Sequence, residues 1–131
     1  MRLEDGIMDK VLVIDDSASV RQQIKVALAP SGIEVLEAVD GIDGVEQIQS
    51  DTNNNIGMLI FDINMPRMNG IELVEWVSCS SNAGRFPILA LTTESGPELI
   101  QLAKKAGATG GIIKPFNAKQ LVTAMKKFLG V

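Results

Sequence analysis

Five short apolar runs alternate with segments of helical period, and this alternation limits the possible folds more than any other feature. Each run is bounded by Asp, Gly, Pro or Asn, as is typical of strands; they span residues 11–14, 35–38, 58–61, 88–91 and 112–113. The runs 58–61 and 88–91 are continuously apolar, the pattern of parallel strands covered on both faces. The chain is therefore predicted to be an α/β protein with five parallel strands, five helices on both faces and right-handed crossovers.

Several of the intervening segments repeat apolar residues at the spacing of an amphipathic helix. The clearest series are Leu99, Leu102, Ala103, Ala106 and Leu121, Ala124, Met125, Phe128. Ser17 or Asp16 is placed to cap the first helix, and Asn117 with Gln120 has the spacing of a capping box for the last. Gly107 fits a helix exit.

Length and composition favour a single domain with a sizeable core. The chain has 131 residues, 46% of them hydrophobic, and a formal net charge of −4. Residues 1–9 show no clear period and are interpreted as an N-terminal extension to a domain spanning 10–131. The acidic balance disfavours nucleic acid as a partner. A single cysteine and the absence of a leader or long apolar stretch indicate a cytoplasmic protein that does not enter the membrane.

The sequence contains no histidine. This excludes Ser–His and Cys–His nucleophile pairs and the commonest zinc ligand. Any chemistry must therefore depend on carboxylates, hydroxyls, lysine or a hard cation.

Polar residues follow the predicted strands, where ligands bind in an open α/β sheet. Asp15 and Asp16 follow the first run, Asp62 the third, Thr92 the fourth and Lys114 the fifth. Grouped carboxylates repel one another, so three on one rim indicate a hard divalent ion, for which Mg²⁺ is suited. Asp62 is then the candidate nucleophile for phosphoryl transfer, with Asp15 and Asp16 holding the ion. Thr92 and Lys114 are candidates to contact the phosphoryl oxygens.

Each of these residues also has an ordinary structural explanation. Asp16 could be only a helix cap, Thr92 a satisfied strand-end threonine, and Lys114 a solvated side chain. Their grouping on one rim is what favours a functional site.

In this order and spacing, the residues resemble the receiver domains of two-component response regulators, in particular the single-domain, CheY-like regulators of chemotaxis. The resemblance covers residues 10–129. It is carried by Asp15-Asp16, Asp62 with Met65-Pro66 and Gly70, Thr92 with Glu94, Gly107-Ala108, and Lys114-Pro115-Phe116.

The resemblance implies a flavodoxin-like sheet of order 2-1-3-4-5, a cis bond before Pro115, and phosphorylation of Asp62 by a CheA-like histidine kinase. It also implies that Asp16, Asp62 and the main-chain carbonyl of Asn64 bind Mg²⁺ directly, with Asp15 assisting through water. Thr92 and Lys114 would hold the phosphoryl group.

Signalling by such a protein implies a downstream partner bound to the face formed by the fourth helix, fifth strand and fifth helix. We expect a monomer, a possible phosphatase partner, and intrinsic hydrolysis of the acyl phosphate tuned by Asn64 and Glu94. Because no output domain follows residue 129, the output would be protein binding or onward transfer of the phosphoryl group.

The chain departs from the CheY-like pattern at Gly111, where an aromatic residue usually stands three positions before the lysine. A ring that turns inward therefore cannot couple phosphorylation to output. The pair Gly110-Gly111 also predicts weaker packing of the fifth strand. Backbone and loop shifts between Thr92 and Pro97 are the alternative route for the signal.

Three other functions stay open. One is a Mg²⁺-dependent phosphatase of the haloacid dehalogenase type, but this class has a second acid where the chain has Asn64, and the chain is too short for a cap domain. Another is a phosphorylation-independent binding module, which Gly111 keeps plausible. The third is a non-motility phosphorelay intermediate or phosphate sink.

Overall fold

The computed structural model describes residues 10–51, 56–63, 70–79, 86–93 and 97–129. The proposed N-terminal extension lies outside them. The strands are β1 (Lys10–Ile14), β2 (Glu34–Ala38), β3 (Ile56–Asp62), β4 (Ile88–Thr93) and β5 (Gly110–Lys114). The α-helices are α1 (Ala18–Leu28), α2 (Gly41–Ser50), α3 (Gly70–Ser78), α4 (Pro97–Ala106) and α5 (Ala118–Leu129), and a short 3-10 turn, Ala29–Ser31, follows α1.

The five strands form one sheet of order β2-β1-β3-β4-β5, with every neighbouring pair parallel. This confirms the predicted α/β class and the flavodoxin-like order. Each strand extends beyond its apolar run at one or both ends, because backbone pairing does not depend on side-chain hydropathy. The third strand begins earlier, at Ile56, and the fifth includes Gly110 and Gly111, which pair with Leu89 and Ala90.

Apolar side chains fill both faces of the sheet. One core joins β-strand residues to α2, α3 and α4, and the other joins them to α1 and α5. Residues 11–14 and 58–61 have no exposed surface. Burial on both faces is the reason that these strands have continuous rather than alternating apolar sequences.

The predicted helix signals are confirmed where the structure describes them. The Ser17 hydroxyl accepts from the Val20 N–H (3.3 Å), so Ser17, and not Asp16, caps α1. Asn117 and Gln120 bond reciprocally, each side chain accepting from the other residue's N–H at 2.8 and 2.9 Å. Gly107 ends α4 with a positive φ of 129°, which glycine adopts without a Cβ penalty.

The expected cis peptide bond joins Lys114 and Pro115. Within the described residues, no helix combines the length and apolar character that a membrane crossing requires.

Candidate functional site

Three carboxylates meet where β1 and β3 end. These strands are neighbours in the sheet, with Ile14 aligned to Phe61, so the residues that follow reach the same edge. Asp15, Asp16 and Asp62 each offer an oxygen, and these atoms lie within 4.8 Å of one another. Asp15 is fully buried and Asp62 is 7% exposed, whereas Asp16 is exposed. The structure thus brings together the three acids that the sequence placed on one rim.

Lys114 reaches this cluster from the end of β5. Its ammonium lies 3.0 Å from Asp15 Oδ2 and 3.4 Å from Asp62 Oδ2. In their ionised forms, three carboxylates and this ammonium carry two excess negative charges. An all-oxygen donor set with that excess fits a hard divalent cation, and Mg²⁺ is commonly bound by few carboxylates with water completing its shell.

Asp15 is held by four hydrogen bonds, one to each of its polar groups. Its N–H donates to the Ala38 carbonyl (3.0 Å), and its Oδ1 accepts from the Ser17 N–H (2.8 Å). Its Oδ2 accepts from Lys114 (3.0 Å), and its own carbonyl accepts from Arg21 Nη1 (2.6 Å). The buried acid therefore has a fixed position before any ligand is present.

Arg21 was missed by the sequence reasoning. From α1, its guanidinium contacts the Asp15 carbonyl and also donates through Nε to Glu37 Oε1 on β2 at 3.0 Å. A basic residue on an amphipathic helix gives no local signal of such a role, because the contact depends on how α1 lies against the sheet. The hydrogen bond from Arg21, together with that from Lys25, lowers the pKa of Glu37 below its usual value of 4.5.

Thr92 is the penultimate residue of β4 and has no exposed surface. Its Oγ1 has no hydrogen-bond partner within the described residues. A buried hydroxyl without a hydrogen-bond partner costs free energy, and a bound group that supplies a partner recovers that cost. The explanation of Thr92 as a satisfied strand-end residue is therefore not supported.

Gly111 is closely covered by α4. A Cβ added at Gly111 would lie 2.9, 2.9 and 3.0 Å from Cγ1, Cγ2 and Cδ1 of Ile100. Ile100 therefore occupies the space next to Gly111. The rest of β5 agrees with the predicted weaker packing, because four of its five residues are only partly buried or exposed.

Beside Gly111, β5 and α5 border a groove of about 400 Å³. Its lining combines the glycine with one alanine and four polar or basic residues of the last helix: Ala124, Lys119, Gln120, Thr123 and Lys127.

The two predicted tuning residues, Asn64 and Glu94, lie outside the described residues. The same holds for the main-chain carbonyl of Asn64, which the resemblance assigned to Mg²⁺. These assignments stay predictions.

Sequence comparisons find related proteins over nearly the whole chain. The sequence profile described as the response regulator receiver domain matches residues 11–126. The chemotaxis protein CheY1 of Helicobacter pylori is 41% identical over 122 residues, which are 92% of this chain and 97% of that protein. A chemotaxis protein CheY homolog of Campylobacter jejuni is 38% identical, covering 92% of each chain.

Solved structures agree with these sequence matches. The chemotaxis response regulator CheY4 of Vibrio cholerae superposes with a TM-score of 0.83 at 40% identity, covering 92% of this chain and 98% of that one. A response regulator receiver domain protein of Clostridium thermocellum gives a TM-score of 0.81 at 29% identity, covering 94% and 95%.

Proposed function

Since the chain belongs to the response regulator receiver domain family, we propose that it is a phosphorylation-controlled switch whose phosphoacceptor is Asp62. The observation that carries this proposal is the environment of Asp62. Its carboxylate lies 3.4 Å from the Lys114 ammonium and within 4.8 Å of the Asp15 and Asp16 oxygens.

In the proposed reaction, a carboxylate oxygen of Asp62 attacks the phosphorus of a phosphohistidine on a histidine kinase. A P–O bond forms as the P–N bond breaks, and the electron pair of that bond returns to the imidazole of the kinase. The product is an acyl phosphate on Asp62. Lys114 is close enough to neutralise a phosphoryl oxygen, and its contact with buried Asp15 keeps it there.

We assign Mg²⁺ to Asp16, Asp62 and the main-chain carbonyl of Asn64, with Asp15 assisting through water. The three carboxylates and their excess negative charge support this assignment. When bound, the cation neutralises charge on the transferring phosphoryl group.

The Thr92 hydroxyl is proposed to donate to an oxygen of the new phosphoryl group. Its present lack of a partner among the described residues supports this role. The movement of Thr92 toward the phosphoryl group would pass along residues 92–97 to α4. It would change the face formed by α4, β5 and α5, where a downstream protein binds. A phosphoryl group adds roughly two negative charges, enough to change populations many-fold through a few kcal/mol.

The names of the matched relatives support chemotaxis as the pathway. We propose a CheA-like histidine kinase as the phosphoryl donor. We place the switch in the cytoplasm as a monomer, with Asn64 and Glu94 tuning intrinsic hydrolysis of the acyl phosphate. A phosphatase that shortens the signal is a further expected partner.

A second candidate function is a phosphorylation-independent binding module. It rests on position 111, where the chain has glycine in place of the aromatic ring that CheY-like proteins usually use for output. Gly111 also lines the groove beside α5.

The proposed function is tested by intact-mass analysis after incubation with acetyl phosphate and Mg²⁺. We expect one phosphoryl adduct that is absent with EDTA and absent in Asp62→Asn. No adduct under conditions that label another receiver domain would overturn the phosphoacceptor assignment and favour the binding module. Turnover of small phosphate esters would instead favour a phosphatase.

A further inference from the structure

We propose that Arg21 is a positioning residue for the metal-holding turn between β1 and α1, and that it sets the Mg²⁺ affinity of the site without contacting the ion. This inference rests on the proposed function, because it concerns how the same carboxylates are held. It adds a residue outside the strand-end cluster to the machinery of the site.

Arg21 joins the turn to the neighbouring strand with two different nitrogens. Nη1 donates to the Asp15 carbonyl at 2.6 Å, and Nε donates to Glu37 Oε1 at 3.0 Å. The side chain is only 14% exposed, so water competes little for either contact. A planar guanidinium can hold two acceptors in fixed directions, whereas a lysine ammonium is a flexible point charge.

The position of Asp15 determines where the exposed Asp16 stands, because the two residues share a peptide bond. That bond contains the Asp15 carbonyl, which is the atom that Arg21 holds. Loss of Arg21 would keep the other three hydrogen bonds of Asp15 but leave the planar peptide between Asp15 and Asp16 free to reorient by rotation about the flanking single bonds. The expected consequence is a wider range of positions for the Asp16 carboxylate and weaker binding of a cation that needs both acids.

Glu37 completes the arrangement by orienting Arg21. Its second oxygen accepts from Lys25 Nζ at 3.2 Å, so the carboxylate is held between two cations on successive turns of α1. The described hydrogen bonds of Lys25 include Glu37 but not Asp15. Lys25→Ala is therefore a matched control: it also removes a cation of α1 that pairs with Glu37, but it leaves the contact between Arg21 and the Asp15 carbonyl in place.

The experiment is calorimetric titration of the full chain with Mg²⁺ alone. We expect Arg21→Ala to weaken Mg²⁺ binding about tenfold, the usual lower range for loss of an outer-shell partner. Arg21→Lys should restore little, because a flexible ammonium does not hold two acceptors in the fixed directions that a planar guanidinium provides. Glu37→Gln should weaken binding less than Arg21→Ala, and Lys25→Ala should leave the affinity within about twofold, as for an exposed ion pair.

Amide hydrogen exchange of the metal-free protein provides a second readout. The Ser17 N–H donates to Asp15 Oδ1, and we expect its exchange to accelerate in Arg21→Ala and not in Lys25→Ala. A purely structural role would instead accelerate exchange throughout the domain and leave the affinity of the folded fraction unchanged.

Folded Arg21→Ala with wild-type Mg²⁺ affinity would overturn the inference. If that variant does not fold, Arg21→Lys and Glu37→Gln decide the question by the same two measurements. If the wild-type chain itself binds no Mg²⁺, the proposed function fails, whereas unchanged Ser17 exchange in Arg21→Ala is the separate result that rejects the positioning role.

Discussion

The two ends of the site differ in how completely their polar groups are satisfied. At the β1 end, each polar group of the buried Asp15 has a hydrogen-bond partner. At the β4 end, the equally buried Thr92 has a hydroxyl with no partner within the described residues. The acidic half of the site is therefore arranged in advance, whereas the Thr92 hydroxyl gains a hydrogen bond when a bound group supplies an acceptor.

Electrostatic catalysis needs fixed groups where charge is to be neutralised, because reorganisation then costs nothing during the reaction. A switch needs a group that makes different contacts in its two states, since a ligand shifts an equilibrium only by interacting differently with them. The β1 end meets the first requirement. Thr92 meets the second.

Loss of Lys114 should produce the largest effect, because its ammonium contacts both buried acids of the site. With Lys114→Ala, buried Asp15 and Asp62 lose their shared cation, and we expect the metal-free protein to lose about 3 kcal/mol of stability, as when a buried pair is broken. Urea unfolding with and without Mg²⁺ measures the loss.

The matched control adds Asp62→Asn, which removes one of the two acids facing Lys114. In the double variant the loss should be smaller than in Lys114→Ala alone. Equal losses would show that repulsion between these carboxylates contributes little.

Addition of a single methyl group at Gly111, on the strand next to β4, should have the next largest effect. Gly111→Ala would drive Cβ into Ile100, and overpacking of this kind costs about 1–3 kcal/mol. Thermal unfolding measures the cost.

Ile100→Ala provides the compensating change. The double variant Gly111→Ala with Ile100→Ala should be more stable than the sum of the single effects predicts. Simple additivity would mean that Ile100 is not the neighbour that limits space at Gly111.

Removal of the Thr92 hydroxyl should have a smaller effect, of opposite sign. Thr92→Val replaces an unpartnered hydroxyl by a methyl group, so we expect it to be neutral or stabilising by up to about 1 kcal/mol. Its phosphorylated form should nevertheless show a reduced conformational response.

Thr109→Val is the contrasting variant, because the Thr109 hydroxyl accepts from the Ile88 N–H at 3.0 Å. This variant should be destabilised by about 1 kcal/mol. Destabilisation of Thr92→Val to the same extent would contradict the difference between the two ends of the site.

The smallest effect concerns Glu37 and pH. The hydrogen bond from Arg21 lowers the pKa of Glu37 in the folded protein. Ionised Glu37 therefore stabilises the fold fully at pH values above its usual pKa of 4.5, and this stabilisation is lost as the pH falls through the lowered pKa of the folded state. The carboxylate is 37% exposed, so we expect less than about 1 kcal/mol. Urea unfolding at several acidic pH values should show a weaker pH dependence in Glu37→Gln; an unchanged slope would exclude the contribution.

Much of the fold could be predicted from short-range patterns. Continuous apolar runs required strands covered on both faces, and Asn117 with Gln120 marked the start of α5 before any contact was known. These patterns could not predict that Gly110 and Gly111 belong to β5. A glycine pair has no hydropathy pattern, and its place in the strand depends on pairing with β4.

The candidate site was predictable to a similar degree. Strand ends and residue chemistry placed Asp15, Asp16, Asp62, Thr92 and Lys114 on one rim, because parallel strands end at the same edge of a sheet. The sequence could not predict which of these groups would be satisfied, since that depends on distances of a few tenths of an ångström between distant segments.

Residue type and spacing were enough to predict the alternation of strands and helices and the kind of chemistry open to the protein. Three features needed the packed fold: Arg21 reaches the Asp15 carbonyl, Thr92 has no partner among the described residues, and Ile100 fills the space beside Gly111. The physical reason is that these contacts join residues on different elements, and their geometry is fixed only when helices pack against the sheet.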